Sequence, residues 1–291
     1  MRRFSFIVGL AAIALAAAAC ASSSPHTATP AATPTSSTTT PAASPAVLAD
    51  LAPTGKLRLA VWVGPEFLAH GNPPAGIAVD LATKLASRLG VPLVTTIYDT
   101  PPALLAAAQS PGWDVAVLPI LAATSSAVDF AAPVILIPHT LLVRNGSSIS
   151  TMAQADQPGV TIASLARGPH TAALASRLKK AKLVPVASDT AGLAMLKTGQ
   201  VDAFGDGRFA MSEDMAQAPG SHVLTEDFFT GHAGLAVTKG HAAGLAYLTE
   251  FAEELKASGA VQQAITAAGV SDVSVAPPGS SVPTPPPTAA P

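Results

Sequence analysis

Residues 133–143 read PVILIPHTLLV, a long apolar extended run that joins two units of similar rhythm. Before it, Leu57–Val63 (LRLAVWV) reads as a strand and Gly76–Leu89 (GIAVDLATKLASRL) as a helix. In that helix Val79, Ala82, Ala86 and Leu89 recur at three- and four-residue spacing, which predicts one buried stripe, and Gly90 ends it. Val91–Tyr98 is a second strand, Pro101–Gln109 a short helix and Asp114–Leu118 a buried strand. Strand, helix, strand, helix, strand is the rhythm of a mainly parallel sheet covered on both faces.

After Ser148 the rhythm repeats. Val160–Ala163, Leu183–Val186 and Val201–Gly205 read as strands, with helices over Thr171–Ala181 and Thr190–Lys197 between them. A second extended run, Gly234–Thr238 (GLAVT), precedes helices over Ala243–Ser258 and Val261–Ala268. Two extended runs flanking the second unit imply that the chain leaves lobe one, builds lobe two and returns to finish lobe one. No repeat recurs at a fixed period, which argues against a solenoid.

The ends are of another character. Residues 1–20, MRRFSFIVGLAAIALAAAAC, combine a basic start at Arg2 and Arg3 with an apolar run too short for a comfortable membrane span, the pattern of an export signal. Cys20, the only cysteine of the chain, follows Ala17, Ala18 and Ala19 as in a lipoprotein cleavage box, although such boxes usually carry Leu where Ala17 stands. An ordinary secretory signal with an incidental cysteine is the other reading. Either way no disulfide is available, and the core must hold by packing. Residues 21–46 are, apart from His26, all Ser, Thr, Pro and Ala, which predicts a disordered tether, and residues 276–291 form a Pro-rich solvated counterpart. That leaves 47–138 for lobe one, 139–232 for lobe two and 233–275 for the return to lobe one.

Of the 291 residues, 12% are charged, 4% are aromatic and the formal charge is −2, becoming −4 once Arg2 and Arg3 leave with the signal. With no basic stripe and few stacking platforms, nucleic-acid binding is disfavoured. The seven histidines are scattered, with no HExxH pair, and neither a G-x-S-x-G elbow nor a phosphate-cradling P-loop occurs. No metal, cofactor or catalytic residue is expected.

Several segments together resemble one family: TGKLRLAV, AGIAVDLATKLASRLGV, WDVAVLP, VDFAAPVI, SDTAGLAMLKTGQVDAF and YLTEFAEELKASGAVQQAI, in order across residues 54–270. They are similar to the bacterial extracellular solute-binding proteins of family 3, the amino-acid type that delivers ligands to ABC importers. The resemblance implies an α/β, two-lobed periplasmic-binding-protein-like (type II) fold with two crossover strands, a ligand in the cleft, and a monomer. The partners implied are a small-molecule ligand and an ABC transporter permease, with the membrane reached through a lipid on Cys20. The location implied is extracytoplasmic, lipid-anchored to the cell membrane, or secreted if Cys20 is not acylated.

In open α/β sheets ligands sit beyond the carboxyl ends of strands, and four turns qualify. In the first, residues 64–76, the resemblance implies an aromatic that stacks on the ligand; Phe67 is the best match, beside Glu66, although Phe67 can equally be a loop anchor. In the second, 119–126, relatives carry a hydroxyl cluster and then an arginine clamp for the ligand carboxylate. Here Pro119 and Thr124 hold those places, so the bidentate clamp is missing; Thr124 either donates one bond or caps the turn.

In the third turn, 166–171, relatives bind carboxylate oxygens at a helix start, which points to Arg167, His170 and Thr171, with solvation or capping as the plain alternative. In the fourth, 201–209 (VDAFGDGRF), the aspartate that pairs with an ammonium in relatives is exchanged with its glycine: Asp206 takes the glycine place and Gly207 the aspartate place. Arg208 follows, suited to an anion or to pairing with Glu213 or Asp214.

The expected function is capture of a small polar or anionic metabolite, amino-acid-like or an organic acid, in the interlobe cleft for delivery to an importer. With both usual clamps altered, an ordinary α-amino acid held in the usual way is not expected. The alternatives are an enzyme on the same scaffold, cyclohexadienyl-dehydratase-like, using Glu66 as acid and Arg208 as clamp, and a ligand-sensing module for a membrane partner.

Overall fold

The computed structural model describes residues 43–62, 68–110, 112–166 and 168–284. In chain order the first part comprises α1 (Pro45–Leu51), β1 (Leu57–Trp62), α2 (Ile77–Leu89), β2 (Leu93–Tyr98), α3 (Pro101–Ala107), β3 (Val115–Pro119), α4 (Ala122–Ala127) and the long β4 (Val128–Val143). The second part comprises α5 (Met152–Ala155), β5 (Thr161–Leu165), α6 (Pro169–Arg177), β6 (Lys182–Val186), α7 (Asp189–Lys197), β7 (Ala203–Gly207), a 3-10 turn (Arg208–Ala210), α8 (Met211–Gln217) and β8 (His222–Val223). The chain then returns through β9 (Phe229–Thr238), α9 (Ala242–Ala257), α10 (Ala260–Ala267) and β10 (Ser274–Val275).

One sheet runs through the molecule in the order β2-β1-β3-β9-β4-β7-β5-β6, with β8 and β10 also paired to β4. Strands β1, β2 and β3 are mutually parallel, as are β5, β6 and β7. The two sets are joined by β4 and β9, which pair antiparallel from Val128↔Thr238 to His139↔Phe229. These are the two crossings expected from the sequence, and both are longer than the apolar runs that announced them. The β4–β9 ladder slips around Pro133, which has no N–H to give.

Lobe one is packed with aliphatic side chains. Leu57, Leu59, Leu81, Leu85, Val115 and Leu235 are fully buried in a cluster that continues under α9 and α10 through Leu248 and Val261. The buried face of α2 centres on Ile77, Leu81 and Leu85, with Val79 only partly covered, so the expected stripe is turned by about one residue. Asp114, itself buried, accepts the backbone N–H of Arg58 and its Nε and Nη2, which pins β3 to β1. Arg88 lies over the rings of Tyr247 and Phe251 at 5.0 and 5.4 Å and pairs with Glu254, tying α2 to α9.

Lobe two has two smaller cores, one on each face of its strands. Leu193, Leu196, Phe204 and Met211 fill the α7 side, and Leu141, Ile162, Leu174 and Phe228 the α6 side. Gly192 is required where α7 crosses Phe204, because a Cβ there would stand 2.3 Å from the ring.

Three expectations are corrected. The tether was expected to run through residue 46, but Ser44 caps Val47 N–H and α1 starts at Pro45, its Val47 and Leu51 buried on lobe one. Helix α6 starts before Thr171, because Pro169 suits its first turn, and it stops at Arg177. The Pro-rich tail is not solvated from residue 276: Ala276 is buried and bonds Val134, while the buried Lys256 ammonium donates to the Pro277 carbonyl at 3.1 Å and Glu253 accepts from Gly279 N–H.

Candidate functional site

Strand register locates the cleft. In lobe one β3 ends at Pro119, level with Ala233 of β9 and through it with Ile135 of β4. In lobe two β7 runs from Ala203 beside Val143 to Gly207 beside His139. The carboxyl ends of both parallel sets therefore point toward each other, separated along β4 by the four residue steps from Ile135 to His139, about 13 Å of strand. This is where free helix starts and strand ends offer groups to a guest.

Glu66, Phe67, Arg167 and Cys20 lie outside the described residues. Pro119 sits half-buried at the end of β3. Thr124 is buried, and its hydroxyl accepts from Leu121 N–H at 2.9 Å and donates to the Pro119 carbonyl at 2.8 Å. Its oxygen thus caps α4, a helix that reads as a mere turn in the sequence, and its single proton is committed to a backbone carbonyl.

The lobe-two wall is polar and buried. His170, the second residue of α6, stacks on His139 of β4 with centroids 4.9 Å apart and planes inclined by 19°. Phe228 and Phe229 tilt against the His139 ring. The Nδ1 of His139 lies 2.9 Å from the Ile137 carbonyl, which only accepts, so the proton sits on Nδ1. Burial lowers His170 to about 4, and burial together with the neighbouring His170 lowers His139 to about 3. Both rings are neutral at physiological pH. The Nε2 of His170 is buried without a partner.

Thr171 serves the scaffold: its hydroxyl donates to the Leu165 carbonyl and shares a 2.8 Å bond with Ser164, whose hydroxyl also reaches the Gly205 carbonyl.

Arg208 occupies the 3-10 turn after β7. Its Nε and Nη2 donate to Asp227 at 2.9 and 2.6 Å, and Nη2 also reaches the Leu224 and Thr225 carbonyls. The partner is thus Asp227 rather than Glu213 or Asp214, and the guanidinium is largely spent on the loop before β9.

Asp206, the last residue but one of β7, lies beside two acids whose place here the sequence did not announce, Asp189 at the start of α7 and Asp214 in the first turn of α8. Burial, then the charge of Asp189, push Asp206 up to about 7, although Gly207 N–H bonds its Oδ1 at 2.6 Å. Burial and the charges of Asp189 and Glu213 push Asp214 up to about 6, and its Oδ2 is buried without a partner. Burial also raises Asp189. Such a set holds a proton near neutrality and releases it when a positive group arrives. Asp189 beside the N-cap Ser188 reads as ordinary capping, and no spacing rule links it to residue 206. Among the described residues no group of three or more His, Cys, Asp or Glu is placed to hold a metal ion.

The sequence matches the bacterial extracellular solute-binding proteins, family 3, over residues 62–267. The chain belongs to this family. Solved structures share the fold. A binding component of an ABC transporter from Wolinella succinogenes, complexed with lysine, has a TM-score of 0.60 at 22% identity, covering 72% of this chain and 94% of that one. The VFT2 domain of Bordetella pertussis BvgS has a TM-score of 0.62 at 20% identity, covering 78% and 99%. The ancestral amino acid-binding protein AncCDT-1, a precursor of cyclohexadienyl dehydratase, has a TM-score of 0.58 at 21% identity, covering 76% and 97%. A comparison with curated proteins finds no match. A solute-binding protein by family, the chain also has, among the described residues, no helix long and apolar enough to cross a membrane.

Proposed function

We propose that this solute-binding protein closes its two lobes on a small polar, amino-acid-like solute or organic acid and presents it to the permease of an ABC importer. The observation that carries the reading is the register: both parallel strand sets direct their carboxyl ends into the gap bridged by Ile135–His139. Closure about two strands excludes water and creates a shape that a partner can read.

On the described wall the ionisable groups are the carboxylates Asp189, Asp206 and Asp214 beside a neutral histidine pair, while Arg208 is held by Asp227. This composition favours a solute that brings a positive group to lobe two. Asp206 is the group proposed to face it, with Pro119, Thr124, His170 and Thr171 shaping the walls and Glu66, Phe67 and Arg167 as further proposed contacts. Export through residues 1–20, lipidation at Cys20 and a monomeric state complete the proposal.

A thermal-shift panel of amino acids, amines and small organic acids tests it. A solute with a positive centre is expected to raise the Tm of the wild type and to lose most of that effect in Asp206→Asn. Stabilisation by a simple dicarboxylate, undiminished in Asp206→Asn and lost in Arg208→Gln, would reverse the assignment of the two side chains.

A further inference from the structure

At the end of lobe two opposite the cleft lies an open recess of about 400 Å³, bordered by Arg144, Asn145, Lys197, Gly199, Pro219 and Ser221. The five residues of β7 separate it from the cleft end, about 16 Å of strand. The Arg144 guanidinium is set in place from behind. Its Nε donates to Asp202 Oδ1 at 3.0 Å and its backbone N–H to the Asp202 carbonyl at 3.0 Å, while Asp202 Oδ2 accepts from the N–H and hydroxyl of Thr161. Burial pushes the Asp202 carboxyl up, but the bonds from Thr161 and Arg144 outweigh it and hold the group below its ordinary value.

Among the described residues the two terminal nitrogens of Arg144 have no partner, nor has the exposed ammonium of Lys197 or the amide of Asn145. Gly220, at φ +84°, makes room for that amide, since a Cβ there would lie 2.6 Å from Asn145 Cγ. The carboxyl end of α7 does not oppose an anion strongly. The Ala194, Met195 and Leu196 carbonyls are already bonded by Thr198, Gly199 and Gln200. With Asp202 matched by Arg144, Lys197 leaves the recess net positive in a chain whose formal charge is −2.

We propose that this recess binds a phosphate group, the Arg144 fork taking two oxygens and Lys197 and Asn145 the remainder. A planar fork, a point cation and an amide donor together suit a compact multi-oxygen anion better than a single carboxylate. The volume leaves space for a substituent on the phosphate, either a small organic group or the headgroup of an anionic lipid. The inference does not depend on what the cleft holds.

The test uses the full chain with inorganic phosphate in calorimetric titration at fixed ionic strength, and in parallel with phosphatidylglycerol and phosphatidylcholine vesicles in co-sedimentation. Wild type is expected to bind phosphate saturably, with affinity falling about tenfold or more in Lys197→Gln and lost in Arg144→Gln/Lys197→Gln. If phosphatidylglycerol vesicles are also retained in a Lys197-dependent manner, the source is a headgroup; if only phosphate binds, it is a soluble phosphate compound. Lys197 is exposed, so its variant folds as the wild type does, and unchanged circular dichroism confirms this. No binding of either probe by wild type, or equal binding by wild type and both variants, overturns the proposal.

Discussion

Lobe one and the cleft end of lobe two solve the same topological problem with opposite chemistry. Lobe one gathers Leu59, Leu81, Leu85, Val115 and Leu235 into one aliphatic core. Lobe two splits its core in two and buries His139, Thr140, Ser164, His170, Thr171 and Asp214 near the strand ends. An aliphatic core is stable at any pH and indifferent to solutes, whereas a buried polar wall is costly when empty and responsive when filled. The first suits a platform and the second the proposed reader of the solute.

The largest break in that contrast comes from the platform. Leu81→Ala removes a fully buried side chain and is expected to cost about 3 kcal/mol in urea unfolding, equally at pH 5 and pH 8. Lobe two should instead respond through protons. Asp206, raised to about 7, binds its proton more tightly folded than unfolded, so its contribution is retained below the unfolded carboxyl value and lost as pH rises through 7. Asp206→Asn is therefore expected to stabilise the empty protein by about 2 kcal/mol at pH 8 and to change little at pH 4. No gain at pH 8 would remove the acidic wall from the account.

The histidine pair works in the other direction. His139 and His170 are lowered to about 3 and 4, so the unfolded chain takes up their protons first and stability falls as pH drops below 6.5. His170→Phe, which keeps a stacked ring on His139, is expected to retain about 1 kcal/mol more than wild type when pH is lowered from 7.5 to 5. An identical acid profile would show that the stack does not store that sensitivity. The smallest effect belongs to the exposed Lys239–Asp129 pair at 3.1 Å, where Lys239→Ala is expected to change the stability read by urea unfolding by no more than about 0.5 kcal/mol.

The same contrast decides what could be read from the chain. Lobe one was legible because burial leaves a period: α2, the strand at 57–62 and the helix pair α9 and α10 appear close to their expected limits, as do β5, α7 and β7 of lobe two. The crossings at β4 and β9 were legible as extended runs, though not their full length, since Val128–Ala132 and Phe229–Ala233 carry no distinctive pattern of their own. The reading wall was legible only in single residues, His170, Thr171 and Asp206, and not in its contacts. His139 meets His170, and Asp206 meets Asp189 and Asp214, only because separate elements converge, and no local rule encodes a contact across such distances along the chain. Arg208 shows the limit well: its place beside the cleft could be inferred from the strand end, but its commitment to Asp227 depended on the return of the loop at 224–228.

The most direct test of the central claim is the distance across the cleft. With Cys20 replaced by Ser, spin labels at Lys84→Cys on α2 and Ser176→Cys on α6 report the separation of the two lobes by pulsed electron paramagnetic resonance. Addition of the solute that raises Tm most is expected to shorten and narrow the distance distribution by several ångströms. A distribution unchanged by a saturating, stabilising solute would contradict closure of the two strand-end walls on a shared guest.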